Sequence, residues 1–120
     1  MLDDEIPSVM DAKNQLKKVL EELASFAGKF AYSKNWADNF NNYKSQLDEP
    51  VPEAYEELFP SSIMDSDNRQ LLIASFHSNV FGGMGSWNDM AFGKEQEKYE
   101  QLSNKLYKTI QTGIMAAVNH

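Results

Sequence analysis

Residues 9–30, VMDAKNQLKKVLEELASFAGKF, carry the clearest indication of the fold. Their apolar side chains recur at spacings of three and four, which places them along one side of an α-helix. Pro7 is tolerated in the first turn of such a helix, and Gly28 suits a position near its end. The stripe therefore predicts a long amphipathic helix with these buried residues: Val9, Ala12, Leu16, Val19, Leu20, Leu23, Phe26, Ala27 and Phe30.

A second helix and a short third one are predicted next along the chain. Ser33 would cap the second helix, whose apolar residues again follow helical spacing. Proline residues then bracket Glu53–Phe59, a segment long enough for two helical turns. Tyr55, Leu58 and Phe59 would anchor this short segment to the core. The apolar stripe of the second helix consists of Trp36, Phe40, Tyr43 and Leu47.

The next predicted helix begins at residues that are typical of helix starts, Asp65, Ser66 and Asp67. It would run to about Phe81, and a glycine just beyond it would supply the positive φ of a helix cap. Its apolar residues recur at helical spacing, which predicts one buried side. The inward-facing residues would be Leu71, Leu72, Ser75, Phe76 and Val80.

The last helix is predicted to begin near Lys94 and to bury one side against the rest of the domain. Gly113 costs about 1 kcal/mol relative to alanine in a helix interior, and it would permit a close approach of a neighbouring helix. Ser103, Tyr107 and Ile114 would lie beside the buried stripe. The buried residues would be Tyr99, Leu102, Leu106, Ile110, Gly113 and Ala117.

These segments predict an all-α fold, in which residues 1–120 form one compact single-domain bundle of about five helices, mostly antiparallel. No stretch alternates apolar and polar residues as a β-strand does. The apolar fraction of 42%, with seven Phe, five Tyr and two Trp, suffices for a packed core. The absence of cysteine excludes disulfides and thiolate metal sites. Neither a membrane-spanning apolar run nor a secretion signal is present, which predicts a cytoplasmic protein.

The formal net charge of −7 is concentrated in one part of the chain. Residues 45–68 contain seven acidic residues and neither Lys nor Arg, whereas acids and bases balance elsewhere. This distribution repels nucleic acid and anionic membranes and attracts a basic partner. One interpretation is a solvated face that keeps the protein soluble. The other is a partner-binding surface made of Asp48, Glu49, Glu53, Tyr55, Glu56, Glu57, Asp65 and Asp67.

Residues 80–90, VFGGMGSWNDM, contain three glycines within four positions. A phosphate-binding loop needs a preceding strand and a Lys followed by Ser or Thr, and neither is found here. The pattern favours a structured connection between two helices, in which Trp87 plugs into the core and short polar side chains bond the loop backbone. The residues of this structural loop are Gly82, Gly83, Gly85, Ser86, Trp87, Asn88 and Asp89.

The stretch FGGMGSWNDM, followed by KYEQLSNKLYKTI in the last helix, resembles a signature of small bacterial proteins. Many of these proteins look like immunity proteins of bacterial toxin systems, including contact-dependent inhibition and polymorphic toxins. The resemblance covers about residues 70–118. It implies a protein that binds one cognate toxin and blocks it. It also implies that the shared loop serves the fold, because partner choice must differ between toxins.

No catalytic or metal-binding constellation stands out in the sequence. His77 lies beside an apolar helix face, where a hydrogen-bonded structural role is favoured over a metal ligand. Ser86 could be combined with His77 and Asp89, but the Gly-x-Ser-x-Gly context of a nucleophile is missing. Glu56 and Glu57 are adjacent and would diverge by roughly 100° on a helix, so they form no acid/base pair. We predict no enzymatic activity, no cofactor and no metal.

Three functions are compatible with these features. The first is an immunity-type protein that occludes the active site of a cognate toxin, for example a basic nuclease. The second is a helical adaptor or regulator that binds another cellular protein. The third is a small-molecule or phosphate binder that uses the glycine loop. The resemblance, the acidic segment and the missing catalytic constellation favour the first.

Overall fold

The computed structural model describes residues 6–80 and 87–120 and shows an all-helical fold. These two ranges contain no β-strand, which confirms the predicted all-α class. They contain four α-helices and short 3₁₀ turns instead of four long helices and a short fifth. The helices are α1 (Val9–Ala27), α2 (Lys34–Ser45), α3 (Ser66–His77) and α4 (Gln96–Asn119).

The first helix, α1, begins with a side-chain cap and ends at a glycine. Ser8 Oγ accepts a hydrogen bond from the Asp11 N–H at 3.1 Å, which satisfies one of the free N–H groups of the first turn. Pro7 precedes this cap, so its predicted place in the first turn is wrong. Gly28 follows the last helical residue, as predicted. Phe30 lies beyond the helix end and packs half-buried against the core.

The start of α2 differs from the prediction at Ser33. A 3₁₀ turn at Ala31–Ser33 precedes α2, and among the described residues the Ser33 side chain makes no capping bond. Its hydroxyl is buried and donates instead to the Ala27 carbonyl at 2.7 Å. Ser33 holds the predicted N-cap position, but its predicted capping bond is wrong: the last carbonyls of α1 need hydrogen-bond donors, and the Ser33 hydroxyl serves one of them. Ser33 therefore ties the end of α1 to the start of α2.

Residues 53–59 form less helix than predicted. Only Glu53–Tyr55 adopt a 3₁₀ turn, and Leu58 is 70% exposed, so its predicted role as a core anchor is wrong. The following Pro60 explains the short turn, because a proline disfavours the α conformation of the residue before it. That residue, Phe59, is half-buried and holds the end of the segment against the helices.

The third helix, α3, is shorter than predicted and turns a phenylalanine outward. It ends at His77, well before Phe81, and Phe76 is 49% exposed although its spacing predicts an inward position. The prediction for Phe76 is wrong because its ring stacks on Phe59 of the preceding segment, with centroids 6.1 Å apart. Its partner therefore belongs to the outer layer of the molecule and not to the core.

The long helix α1 lies between α2 and α4 and runs antiparallel to both. Contacts with each neighbour connect rising residue numbers on α1 to falling numbers on the neighbour, as antiparallel packing requires. With the α2 side these contacts are Lys17–Asp48 at 2.7 Å and Lys44–Glu21 at 2.8 Å, and with the α4 side Lys105–Glu22 at 2.8 Å and the Phe26–Phe92 ring pair at 4.9 Å.

The helices α3 and α4 are also antiparallel and approach closely at Gly113. The Asn68 side chain near the start of α3 donates to the Ala117 carbonyl near the end of α4, at 3.1 Å. A Cβ atom at position 113 would lie 2.7 Å from Ser75 Oγ and 3.3 Å from Leu71 Cδ1. Glycine is therefore required at this position by space, since α3 fills the volume that a side chain would need.

Candidate partner-binding surface

The acidic segment, residues 45–68, carries its seven carboxylates at the surface of the molecule. Three of them pair with basic residues of the helices. Their charge is largely neutralised within the molecule, so they contribute less to the attraction of a partner than the sequence indicates. The three pairs are Asp48 with Lys17 at 2.7 Å, Asp67 with Lys13 at 2.9 Å and Glu56 with Arg69 at 3.0 Å.

The other four carboxylates belong to Glu49, Glu53, Glu57 and Asp65. Within residues 6–80 and 87–120 none of them forms an ion pair. Asp65 stands at the N-cap of α3, but in the described part of the chain its side chain makes no capping bond. Four charges of one sign on an irregular segment produce a negative potential that attracts a basic surface.

Two of the paired carboxyls have lowered pKa values. Hydrogen bonds from the hydroxyl and the N–H of Ser61 to Glu56 lower the pKa of this carboxyl, and the nearby Arg69 guanidinium acts in the same direction. The hydrogen bond from the Lys17 ammonium lowers the pKa of Asp48. The folded protein therefore stabilises the ionised form of both carboxyls relative to the unfolded chain.

These shifts predict a loss of stability in acid. A carboxyl with a lowered pKa stabilises the fold above its ordinary pKa of about 4, and this contribution disappears as the pH falls through the folded-state value. We expect the urea midpoint to decrease between about pH 7 and about pH 3, and to decrease less in Glu56→Gln. Glu57→Gln removes the same charge from the next residue, which is exposed, and should follow the unsubstituted protein. Parallel curves for all three proteins would contradict this assignment.

A buried lysine connects the acidic segment to α1. Lys13 is only 3% exposed, and its ammonium donates to Asp67 Oδ1 at 2.9 Å and to Gln70 Oε1 at 2.6 Å. Gln70 in turn donates from Nε2 to the Glu49 carbonyl at 2.6 Å. A buried ammonium needs such partners because an unpaired buried charge is costly. The chain of bonds fixes residue 49 and the first turn of α3 relative to α1.

Tyr55 meets His77 beside a small pocket. The Tyr55 hydroxyl lies 2.9 Å from His77 Nε2, and Gln46 Oε1 lies 2.6 Å from Nδ1. Because the amide oxygen can only accept, Nδ1 donates to Gln46, and in the neutral tautomer with this hydrogen Nε2 is the acceptor for the phenol. Both ring nitrogens are thus used within the protein, as in a structural histidine. The pocket has a volume of about 160 Å³ and is lined in part by Val51 and Ile73.

Trp87, one residue of the predicted structural loop, reaches the core. It is fully buried, its Nε1–H donates to Ser103 Oγ at 2.9 Å, and its carbonyl accepts from the Tyr99 hydroxyl at 2.8 Å. Trp87 therefore fastens the connection between α3 and α4 to the core. The surrounding rings are those of Trp36 at 5.6 Å, Phe40 at 5.0 Å, Phe92 at 5.5 Å and Tyr99 at 5.2 Å between centroids.

The rest of this loop is described only in part. Asn88 is exposed and belongs to the 3₁₀ turn Trp87–Asp89. Gly93 opens the next 3₁₀ turn with a φ of 54°, a left-handed conformation that favours glycine. The predicted loop residues outside the described part are Gly82, Gly83, Gly85 and Ser86, together with the side chain of Asp89.

The sequence predictions missed an apolar groove on the surface. Ile63 is 81% exposed, Val118 is 64% exposed, and both line this groove together with Leu58. A signal for Ile63 was its position in the run PSSIMDSD, where no helical spacing aligns it with a buried stripe. Val118 gave no such signal, because it sits in a helix whose neighbouring positions are buried.

None of the helices in residues 6–80 and 87–120 combines the length and the hydropathy of a membrane-spanning segment. The same residues contain no group of three or more His, Asp or Glu side chains placed to hold a metal ion. Comparison with protein-family models, with curated proteins and with solved structures finds no match to this chain.

Proposed function

We propose that this protein is an immunity-type binding protein, which binds a cognate bacterial toxin in the cytoplasm and neutralises it without catalytic turnover. The observation that carries the proposal is the arrangement of the acidic segment. Four of its carboxylates, which form no ion pair within residues 6–80 and 87–120, lie on the same irregular stretch as two of the most exposed apolar side chains, Leu58 and Ile63. Charge that steers a partner and apolar area that holds it are the two components of a specific protein interface.

The chemistry of the surface favours a basic partner. A nuclease must hold phosphates in its active site and therefore carries basic residues there. A protein with exposed carboxylates at the matching positions would occupy that site and exclude the substrate. The same charge repels nucleic acid and anionic membranes, so neither is a proposed partner. The resemblance of residues 81–90 and 98–110 to proteins of toxin systems adds independent support.

Co-expression with the product of the gene immediately upstream, tested as the toxin, tests this proposal. A stable one-to-one complex that also restores growth of cells expressing the toxin is the expected result. Absence of both complex and rescue would refute the immunity function and leave the adaptor hypothesis.

Charge reversal on the purified complex then locates the surface. Glu53→Lys with Glu57→Lys should lower the association rate constant by about ten-fold at low salt, with little change in the dissociation rate. Glu56 is left intact because it pairs with Arg69. The control is Asp38→Lys with Glu97→Lys, two exposed acids outside the segment that give the same change in net charge. Equal effects of the two double variants would show that net charge alone acts and not this surface.

A further inference from the structure

We infer that the apolar groove binds the apolar side of an amphipathic, lysine- or arginine-rich segment of the partner protein, an inference that rests on the proposed function. The groove lies between residues 58–65 and the last turn of α4, with α3 beneath it. Its volume is about 640 Å³. That volume falls within the range of roughly 300–1,000 Å³ that is typical of binding sites.

Exposed apolar side chains line the groove, beside the polar or titratable side chains of Asp65, Asn68, Asn119 and His120. Leu58, Ile63 and Val118 are 70%, 81% and 64% exposed, so each presents most of its apolar surface to solvent. They stand around Leu72 of α3, which is 4% exposed and forms part of the floor. Apolar side chains that are gathered in this way on a small acidic protein mark an interaction site, unlike single exposed ones.

The charge around the groove selects the partner. Asp65 lines the groove, Glu57 directly precedes Leu58, and residues 45–68 contain no base. The nearest guanidinium, that of Arg69, donates to the Phe59 carbonyl at 2.7 Å and to Glu56 at 3.0 Å, so it is already used. An apolar segment flanked by cationic residues therefore complements both the walls and the rim.

Other occupants fit less well. A second copy of the chain would bring the same acidic segment against itself, because a two-fold contact pairs identical surfaces. An anionic membrane would meet the same repulsion. A helix that carries apolar anchors at spacings of three and four, with lysines on its flanks, fits a groove of this kind.

The test uses a short synthetic peptide of leucine and lysine at helical spacing, titrated into the full-length protein and followed by NMR and calorimetry. Saturable binding with shifts at residues 58–65 and 117–119 is expected. Ile63→Ser should weaken this binding by about ten-fold or more, because it removes an aliphatic side chain that the bound peptide would bury. Asp65→Asn, which keeps a good helix-capping residue, should weaken it by about two- to five-fold.

Two controls accompany the titration. Tyr32→Ser changes an exposed aromatic residue just after the C-terminal end of α1, which does not line the groove, and it should leave the affinity unchanged. A peptide with glutamate in place of lysine should not bind. The inference is overturned if the lysine peptide fails to bind, if Ile63→Ser leaves its affinity unchanged, or if the glutamate peptide binds equally well. Dimerisation of the free protein that Ile63→Ser abolishes would also overturn it, in favour of a second copy.

The proposed function and this inference fail in different experiments. If the toxin binds but Ile63→Ser does not alter its dissociation rate, the immunity function stands and the groove inference falls. If the peptide binds in the groove but no adjacent toxin binds or is neutralised, the groove stands as a docking site and the immunity function falls.

Discussion

Replacement of Trp87 by alanine is expected to lower the free energy of unfolding by about 3–5 kcal/mol. The indole is fully buried, and four aromatic rings lie around it at centroid distances of 5.0–5.6 Å. Alanine would leave a cavity among these four rings. The substitution would also remove the hydrogen bond from Nε1 to the buried Ser103 Oγ, which would then have no partner among the described residues.

Urea unfolding followed by circular dichroism measures this loss. Trp87→Phe retains most of the ring volume, so it should cost less and report mainly the lost hydrogen bond, about 1–2 kcal/mol. Combining it with Ser103→Ala removes the orphaned hydroxyl and should recover part of that cost. Asn88→Ala, at the exposed neighbouring residue, is the control for an effect on the loop itself. A cost for Trp87→Ala no larger than that of the control would contradict the role of this side chain as the loop's anchor.

Replacement of Gly113 by alanine is expected to destabilise the protein by about 1–2 kcal/mol, although alanine favours helix. The new methyl group would lie 2.7 Å from Ser75 Oγ, so α3 and α4 would have to move apart. In an open helix the same substitution would stabilise by about 1 kcal/mol. The sign of the effect therefore tests the close approach of the two helices.

A second substitution separates this clash from other causes. Ser75 Oγ is buried, and within the described residues it has no hydrogen-bond partner, so Ser75→Ala should cost little or nothing by itself. The double variant removes the atom nearest to the new methyl group and should be at least as stable as the unsubstituted protein. The two substitutions should thus couple by about 1–3 kcal/mol in a double-mutant cycle. Additive effects would mean that the helices are not in contact at this point.

The sequence predicted the helical class and most of the buried residues, because burial follows helical spacing. The stripe of α1 is an example, since Leu16, Leu20 and Leu23 are all completely buried. Phe76 shows the limit of this argument. Helical spacing places Phe76 next to a buried stripe. It does not reveal that Phe76 stacks on Phe59, a residue outside the helices.

The candidate surface was harder to predict than the fold. The acidic residues were visible in the sequence, but their division into paired and unpaired charges was not. Lys13 and Asp67 are 54 residues apart in sequence and meet at 2.9 Å only because α1 and α3 pack together. The groove depends in the same way on the approach of the end of α4 to residues 58–65. Long-range pairings of this kind leave no periodic signal in the sequence.

The bonds that hold the acidic segment to the helices lower the entropic cost of binding a partner. Residues 46–65 contain no α-helix, yet Lys17, Gln70, His77 and Arg69 each hold a point along them. A segment fixed in this way loses little conformational freedom when a partner docks, which reduces a cost of about 0.5–1.5 kcal/mol for each side chain that binding would otherwise immobilise. The helices therefore hold the irregular segment in the conformation in which it would bind a partner.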